Sequence, residues 1–419
     1  MNSKATISKS KHIFTIVSIA MIFSIYLISL AISPYFYWDD EWMVVTNPYL
    51  TKYDFGSLFE VIFTSFQGQY SPVNSLMYIA IIALFGFNSL IFHIVCLTIH
   101  ILNTFLVYRF IAMLISIKYY EKYTELQVLM ISALVALLFG ISPLQIEAVS
   151  WISASKILLF SFFFLLSCIY FLKFTENNNK YQYWLSIIFF ILAIGSKEQA
   201  VVLPLVLTVI ILYIKGNRNF YIWIIPFFII SFVSGILSLL VQDDGFSKTL
   251  ANDYYPIHQR IILSCYTLTQ YIVKILLPLR QWMFYKFPMN PGEQLPILYY
   301  LYPLIDLVLI YFFYLLFRTK KYDYFIFGLA FFLINIFLTL HVIPLGRQSL
   351  MADRYVYLPI IGVYLPLCIF VIDHLSKATH KRSQYLIVAG ILLYVVLTYV
   401  KSIHYIFVWS NYWMETIVT

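Results

Sequence analysis

Apolar runs of roughly 15 to 25 residues follow one another along almost the whole chain, parted by short polar connections. A run of about 20 such residues is what a helix needs to cross a bilayer, where only helices and closed barrels satisfy their own backbone. Charged residues make up 11% of the 419 and hydrophobic ones 62%, against about 25% charged in a soluble protein. No stretch is left to build a sizeable separate soluble core, which excludes a soluble enzyme on a single anchor. The expected class is an all-α polytopic membrane protein, with residues 1–419 forming one integral-membrane domain.

The net charge of +8 would suit nucleic acid if the cations shared one face. They lie instead between apolar runs, so they read as signals of membrane orientation, and nucleic acid is not an expected partner. Cys96, Cys168, Cys265 and Cys368 sit in apolar sequence without a CxxC pair and read as small core residues.

The first span is expected at Ile13–Ile32, with a cytoplasmic N-terminus set by Lys4, Lys9 and Lys11. Further runs fall at Leu90–Leu114, Leu126–Phe139, Ile157–Phe174, Trp184–Ile194, Val201–Tyr213 and Tyr221–Leu240. The last third adds Leu298–Leu316, Tyr324–Leu340, Val356–Ile372 and Tyr385–Tyr399. Basic connections at Arg109–Lys122, Lys173 and Lys180, Lys215 and Arg218, Arg318–Lys321, and Lys377–Arg382 should share the cytoplasmic side. Parity then puts residues 33–89 outside as a first outer loop, whose apolar stretch Val73–Phe87 forms a short surface helix. It also makes 242–297 an outer loop in which Ile261–Leu279 is re-entrant or interfacial. The expected total is about 11 to 13 crossings.

This topology collects the unusual polar residues on one side. Asp39, Asp40 and Glu41 lie between Trp38 and Trp42 just after the first span; three adjacent acids at a low-dielectric boundary suit a general base, or contacts to a sugar hydroxyl or cation. In Pro143–Lys156, Glu147 and Trp151 share a helical face at i and i+4 and read either as an acid with a sugar-stacking ring or as a capped and anchored turn, with Lys156 at the head of the next run. Lys197 and Glu198 either neutralise each other or leave Lys197 facing an anion. In His341–Pro359, Arg347 and Arg354 offer planar forks that match phosphate oxygens, with Asp353, Tyr355 and Tyr357 beside them. His93, His100 and Asn103 share one helix and read as packing or hydrogen-bonding groups; no metal is expected. No nucleotide-binding or hydrolase motif appears.

Trp38–Glu41 with Asn47 and Pro48, Pro143–Lys156, Ser196–Ala200 and Met351–Gly362 together resemble GT-C superfamily membrane glycosyltransferases. The likeness is greatest to protein O-mannosyltransferase-like members that carry TPR repeats after their membrane part. It covers nearly the whole chain and rests on the ordered set. It implies a GT-C-like fold and inverting transfer from a polyprenyl-phosphate sugar to an acceptor hydroxyl at an outer-face site, without a metal or other cofactor. It gives Asp40, ahead of Asp39, the catalytic base, assigns Glu147 to the second motif, and assigns Lys156, Lys197, Arg347 and Arg354 to the carrier phosphate. Glu41, Trp151, Asp353, Tyr355 and His93 are supporting residues. Expected partners are membrane lipid, the lipid-linked donor, a protein or glycan acceptor and a periplasmic partner, in a bacterial inner membrane. Two positions depart from the pattern: Gln145 stands where relatives often have His, and Ser155 where they have a basic residue. The chain ends at Thr419 without the repeats, which weakens the implication of a protein acceptor. The alternatives are a flippase or transporter for a lipid-linked sugar, for which the duplicated halves of many transporters are not found, and a non-catalytic assembly subunit.

Overall fold

The computed structural model describes residues 2–32, 38–51, 55–241, 255–278, 281–319, 322–340, 342 and 349–418, which form helices and turns with two isolated β-bridges. The longer helices are α1 (Asn2–Ile32), α2 (Phe55–Phe63), α3 (Pro72–Phe85), α4 (Ser89–Lys118) and α5 (Glu125–Ile141). A short α6 (Ile146–Ser150) precedes α7 (Ser155–Asn177), α8 (Lys180–Ser196), α9 (Leu203–Ile214) and α10 (Ile225–Val241). The chain closes with α11 (Ile257–Leu276), α12 (Tyr302–Thr319), α13 (Asp323–Ile336), α14 (Ile361–Lys377) and α15 (Lys381–Val418).

Local chemistry marks the starts of these helices. Asn88 and Asn179 accept backbone N–H groups at the heads of α4 and α8, while Thr124 and Gln127 form a reciprocal capping box on α5. Pro72 opens α3, where its missing N–H leaves no helical bond unmade. Among the described residues, five stretches are long and apolar enough to cross a membrane, and a sixth counts if α5 and the helical turn after it, bent by 55°, form one span. The larger sequence expectation takes in shorter elements. The 12 and 14 residues of α9 and α13 reach only about 18 and 21 Å, against a hydrocarbon core of about 30 Å.

The spans divide into inner and outer layers. Of the most apolar window in Ile152–Asn177, 72% is buried by other protein, whereas in Ile297–Thr319 the figure is 6%. The second helix therefore offers Leu304, Leu307, Val308 and Ile310 to its surroundings, an apolar surface that only lipid covers without penalty. This is the construction of a helical membrane protein. The core around α4, α5, α7 and α14 is continuous from Ile22 to Trp409.

The ends of the bundle are chemically distinct. At one, Lys118 pairs with Asp323 at 2.7 Å and Lys122 with Asp373 at 2.9 Å. At the other, Glu147 pairs with Arg354. Lys118–Asp323 and Lys122–Asp373 thus join the C-terminal end of α4 and the turn after it to the head of α13 and the tail of α14, and Glu147–Arg354 joins the turn after α5 to the turn before α14. Helix α11 keeps to the Arg354 end in both halves: Arg260 Nη1 donates to the Val342 carbonyl at 3.2 Å, and Tyr271 Oη donates to the Ala352 carbonyl at 3.0 Å.

The Arg354 segment is anchored by a close helix crossing. A methyl added to Gly328 on α13 would land on the Gly362 carbonyl of α14, and one added to Gly362 would land on the Gly328 carbonyl. Small residues allow this approach, and backbone cannot yield as a flexible side chain does. Gly328→Ala should therefore cost about 1–3 kcal/mol, seen as a lower thermal midpoint in detergent. An unchanged midpoint would show that the helices separate at no cost.

Candidate functional site

Three adjacent acids are sent to three environments by the turn that follows α1. Trp38 has φ +46°, a region that bulky L-residues avoid and that costs on the order of 1–3 kcal/mol. Its carbonyl accepts the Glu41 N–H at 3.1 Å, starting the π-helical turn Glu41–Val45. Asp40 is fully buried; its Oδ1 accepts the Ser153 backbone N–H at 2.7 Å and the Ser153 hydroxyl. Asp39 stays partly exposed and accepts Trp42 Nε1–H at 3.0 Å. Glu41 is exposed. Asp40 thus fastens the first loop to the second, and Asp39 is the acid of the three held in a fixed orientation yet open to a reactant.

Glu147 and Arg354 form the centre of the next layer. The Arg354 backbone N–H donates to Glu147 Oε2 at 2.8 Å and its Nη1 bonds Oε1, so one carboxylate holds both the backbone and the side chain. The guanidinium lies 5.0 Å from the Trp151 ring and 4.9 Å from the Tyr355 ring. Trp151 is itself buried beneath Trp38, stacked at 6.2 Å and 16°. The ring expected to receive a sugar is therefore enclosed by protein, and Trp38 carries the exposed face.

The turn before α14 is fixed from below. The Tyr357 hydroxyl lies 2.8 Å from His100 Nδ1 and accepts Asn103 Nδ2–H at 3.1 Å, while the Tyr357 carbonyl accepts from Gln145 at 3.2 Å. His100 Nε2 lies 3.0 Å from the Gly140 carbonyl. That contact calls for the Nε2–H tautomer and leaves Nδ1 to accept from Tyr357. Gln145 and Ser155 are both engaged in structure. Ser155 bridges Asn74 at 3.0 Å and Tyr78 at 2.8 Å.

Lys156 approaches from the opposite wall. Its Nζ donates to Gln69 Oε1, and Gln69 is delivered by a tight turn in which Gln67 and Gly68 both have positive φ (48° and 71°). Lys156 is within electrostatic range of Lys197, Glu198, Arg354 and Asp39. Lys197 is buried and pairs with the more exposed Glu198 at 3.3 Å. Three cations thus gather with Asp39, two of them paired with Glu198 and Glu147 and Lys156 bonded to a neutral amide, an arrangement suited to an anionic oxygen ligand at Lys156.

Asp353 lies behind this wall, buried, with Oδ1 accepting Tyr285 Oη–H at 2.7 Å. Burial first, and the nearby Glu147 charge second, push its carboxyl up to about 7. His93 is buried on α4, and Arg347 lies outside the described residues. Among the described residues, no three His, Cys, Asp or Glu side chains converge on a point that could hold a metal. Of the four cysteines, Cys265 alone is partly exposed. Gln69, Ser153 and Tyr285 were not expected at the site. The Gln67–Gly68 turn between Phe66 and Gln69 was the one local signal of this kind. No protein-family model matches the chain, and no curated protein matches it.

Two outcomes follow. Glu147→Ala leaves Arg354 without its carboxylate and should cost about 3–5 kcal/mol, more than Glu147→Ala combined with Arg354→Met; denaturation of the wild type and the two variants in detergent measures the difference. Between the ordinary carboxyl value of 3.8 and about 7, folded Asp353 holds a proton that the unfolded chain releases. Its contribution to stability therefore falls as pH rises through that window. Asp353→Asn should flatten this slope; a wild-type slope in the variant would assign it to another group.

Proposed function

We propose that the chain is an inverting glycosyltransferase with a GT-C-like fold that transfers a sugar from a polyprenyl-phosphate carrier to an acceptor hydroxyl. The observation that carries this reading is the convergence, at one end of the bundle, of the pinned acid Asp39 with Lys156, Lys197 and Arg354. A base must face the acceptor while cations face the departing phosphate, and both charge types meet here. The protein would reside in a bacterial inner membrane with this end in the periplasm.

In the proposed reaction Asp39 takes the proton of the acceptor hydroxyl as its oxygen attacks the anomeric carbon. The new carbon–oxygen bond forms as the bond from that carbon to the phosphate oxygen breaks, and the electron pair leaves with the phosphate. Attack opposite the leaving group inverts the anomeric centre. Lys156 is the cation best suited to the phosphate, because the partner its ammonium bonds, Gln69, is neutral. Lys197 adds charge behind it. Arg354 is largely committed to Glu147 and acts as a positioning residue that keeps the two walls in register. The assignment of the base moves from Asp40 to Asp39 because a buried carboxylate already accepting two bonds from Ser153 has little access to an incoming hydroxyl.

The test is transfer by purified protein from a mixed pool of polyprenyl-phosphate sugars, followed by mass spectrometry. Asp39→Asn should lower turnover by about 10²–10⁴ with folding intact, and Lys156→Ala should chiefly raise the donor KM. Translocation of the sugar lipid without any product would replace the transferase with a transporter; full turnover in Asp39→Asn would remove the base.

A further inference from the structure

Resting on the transferase reading, we infer that the acceptor is itself a carbohydrate, and that Trp38 is the platform on which its acceptor sugar ring stacks. Trp38 is 55% exposed, although it immediately precedes the proposed base and occupies a backbone conformation that a bulky residue avoids. Its indole is held by neighbours: Trp151 lies stacked beneath it at 6.2 Å, and Phe284 flanks it at 6.2 Å and 47°. Trp151 is in turn fixed under the Arg354 guanidinium. The result is a largely exposed indole whose orientation the packing sets.

A pyranose presents a flat apolar face of C–H bonds with hydroxyls around its rim, which matches an exposed indole beside a carboxylate. Stacked on Trp38, the ring would present a rim hydroxyl to the adjacent Asp39. An extended peptide carrying Ser or Thr would bind by strand addition only at an edge of unpaired backbone groups. Two carbonyls beside the ring are already used: that of Trp38 accepts from Glu41, and that of Glu41 accepts both the backbone N–H and the side-chain hydroxyl of Thr46. A Trp serving only as a membrane-interface anchor would need neither the strained turn nor a buried Trp–Arg stack below it.

Saturation-transfer NMR on the nanodisc-embedded full chain tests this, using chitobiose, cellobiose and mannobiose as one set of probes and a Ser/Thr-containing hexapeptide as the other. Saturation should reach the C–H protons on one face of a disaccharide and vanish in Trp38→Ala at an unchanged thermal midpoint, with Trp38→Phe restoring part of it. In the transfer assay, Trp38→Ala should raise the disaccharide KM about tenfold and change kcat by less than about twofold. Sugar transfer to the hexapeptide, with no disaccharide saturation, would overturn the carbohydrate acceptor while leaving the transferase in place. Saturation unaffected by Trp38→Ala would overturn the platform. Trp38-dependent saturation without transfer to any acceptor would support the carbohydrate site and overturn the transferase reading.

Discussion

Setting a part-buried arginine against a buried glutamate is expensive unless the polar atoms of the pair find partners, and the region around Arg354 is organised to meet that condition. Glu147 spends one oxygen on the Arg354 backbone and the other on its guanidinium, and the guanidinium faces two aromatic rings. The pair therefore connects backbone as well as charge. It ties the turn after α5 to the turn before α14, two segments more than 200 residues apart in sequence. Below them, Tyr357 engages His100 and Asn103, and the Gly328–Gly362 crossing holds α14 against α13. Loss of the pair would leave an unpaired charge and release the segment that supports Trp151.

Much of the helical framework was legible because hydrocarbon demands long apolar runs and positive charge marks their ends. The run expected at Leu90–Leu114 is the core of α4, and Ile157–Phe174 is the core of α7. Lys118 and Lys122, used to orient the chain, meet Asp323 and Asp373 at the same end of the bundle. The number of spans was less legible. Hydropathy does not register the 55° bend after α5, nor does it separate a buried 12-residue helix such as α9 from one that spans with help from a neighbouring turn.

The site was legible as a set of loops and not as a set of contacts. Composition singled out the Asp39–Glu41 triplet, but period and spacing could not say that Ser153 would bury Asp40 while Trp42 held Asp39 at the rim. The i, i+4 relation of Glu147 and Trp151 put them on one face. What fills that face is Arg354 from more than 200 residues away, so Trp151 supports the site and Trp38 carries the open ring. Gln69 was invisible for the same reason: its role follows from a turn that points it at Lys156, and no local pattern encodes that meeting.

The uneven pairing of charges gives the site its direction. Arg354 is answered by Glu147 and Lys197 by Glu198, whereas the partner bonded by Lys156 is a neutral amide, and Lys156 also feels the like charges of Lys197 and Arg354. Like charges gathered near a low-dielectric boundary repel at a cost that an arriving anion removes. Asp39 cannot remove it alone, because Trp42 orients its carboxylate in the first loop while Lys156 projects from the head of α7. A ligand with an anionic group toward Lys156 and a neutral hydroxyl-bearing partner toward Asp39 would match both halves, which is the polarity of a phosphate-linked donor meeting an alcohol acceptor. Reversing that orientation would set the anionic group against the acid and leave the lysine without an anion, so the charge pattern favours one orientation of such a ligand.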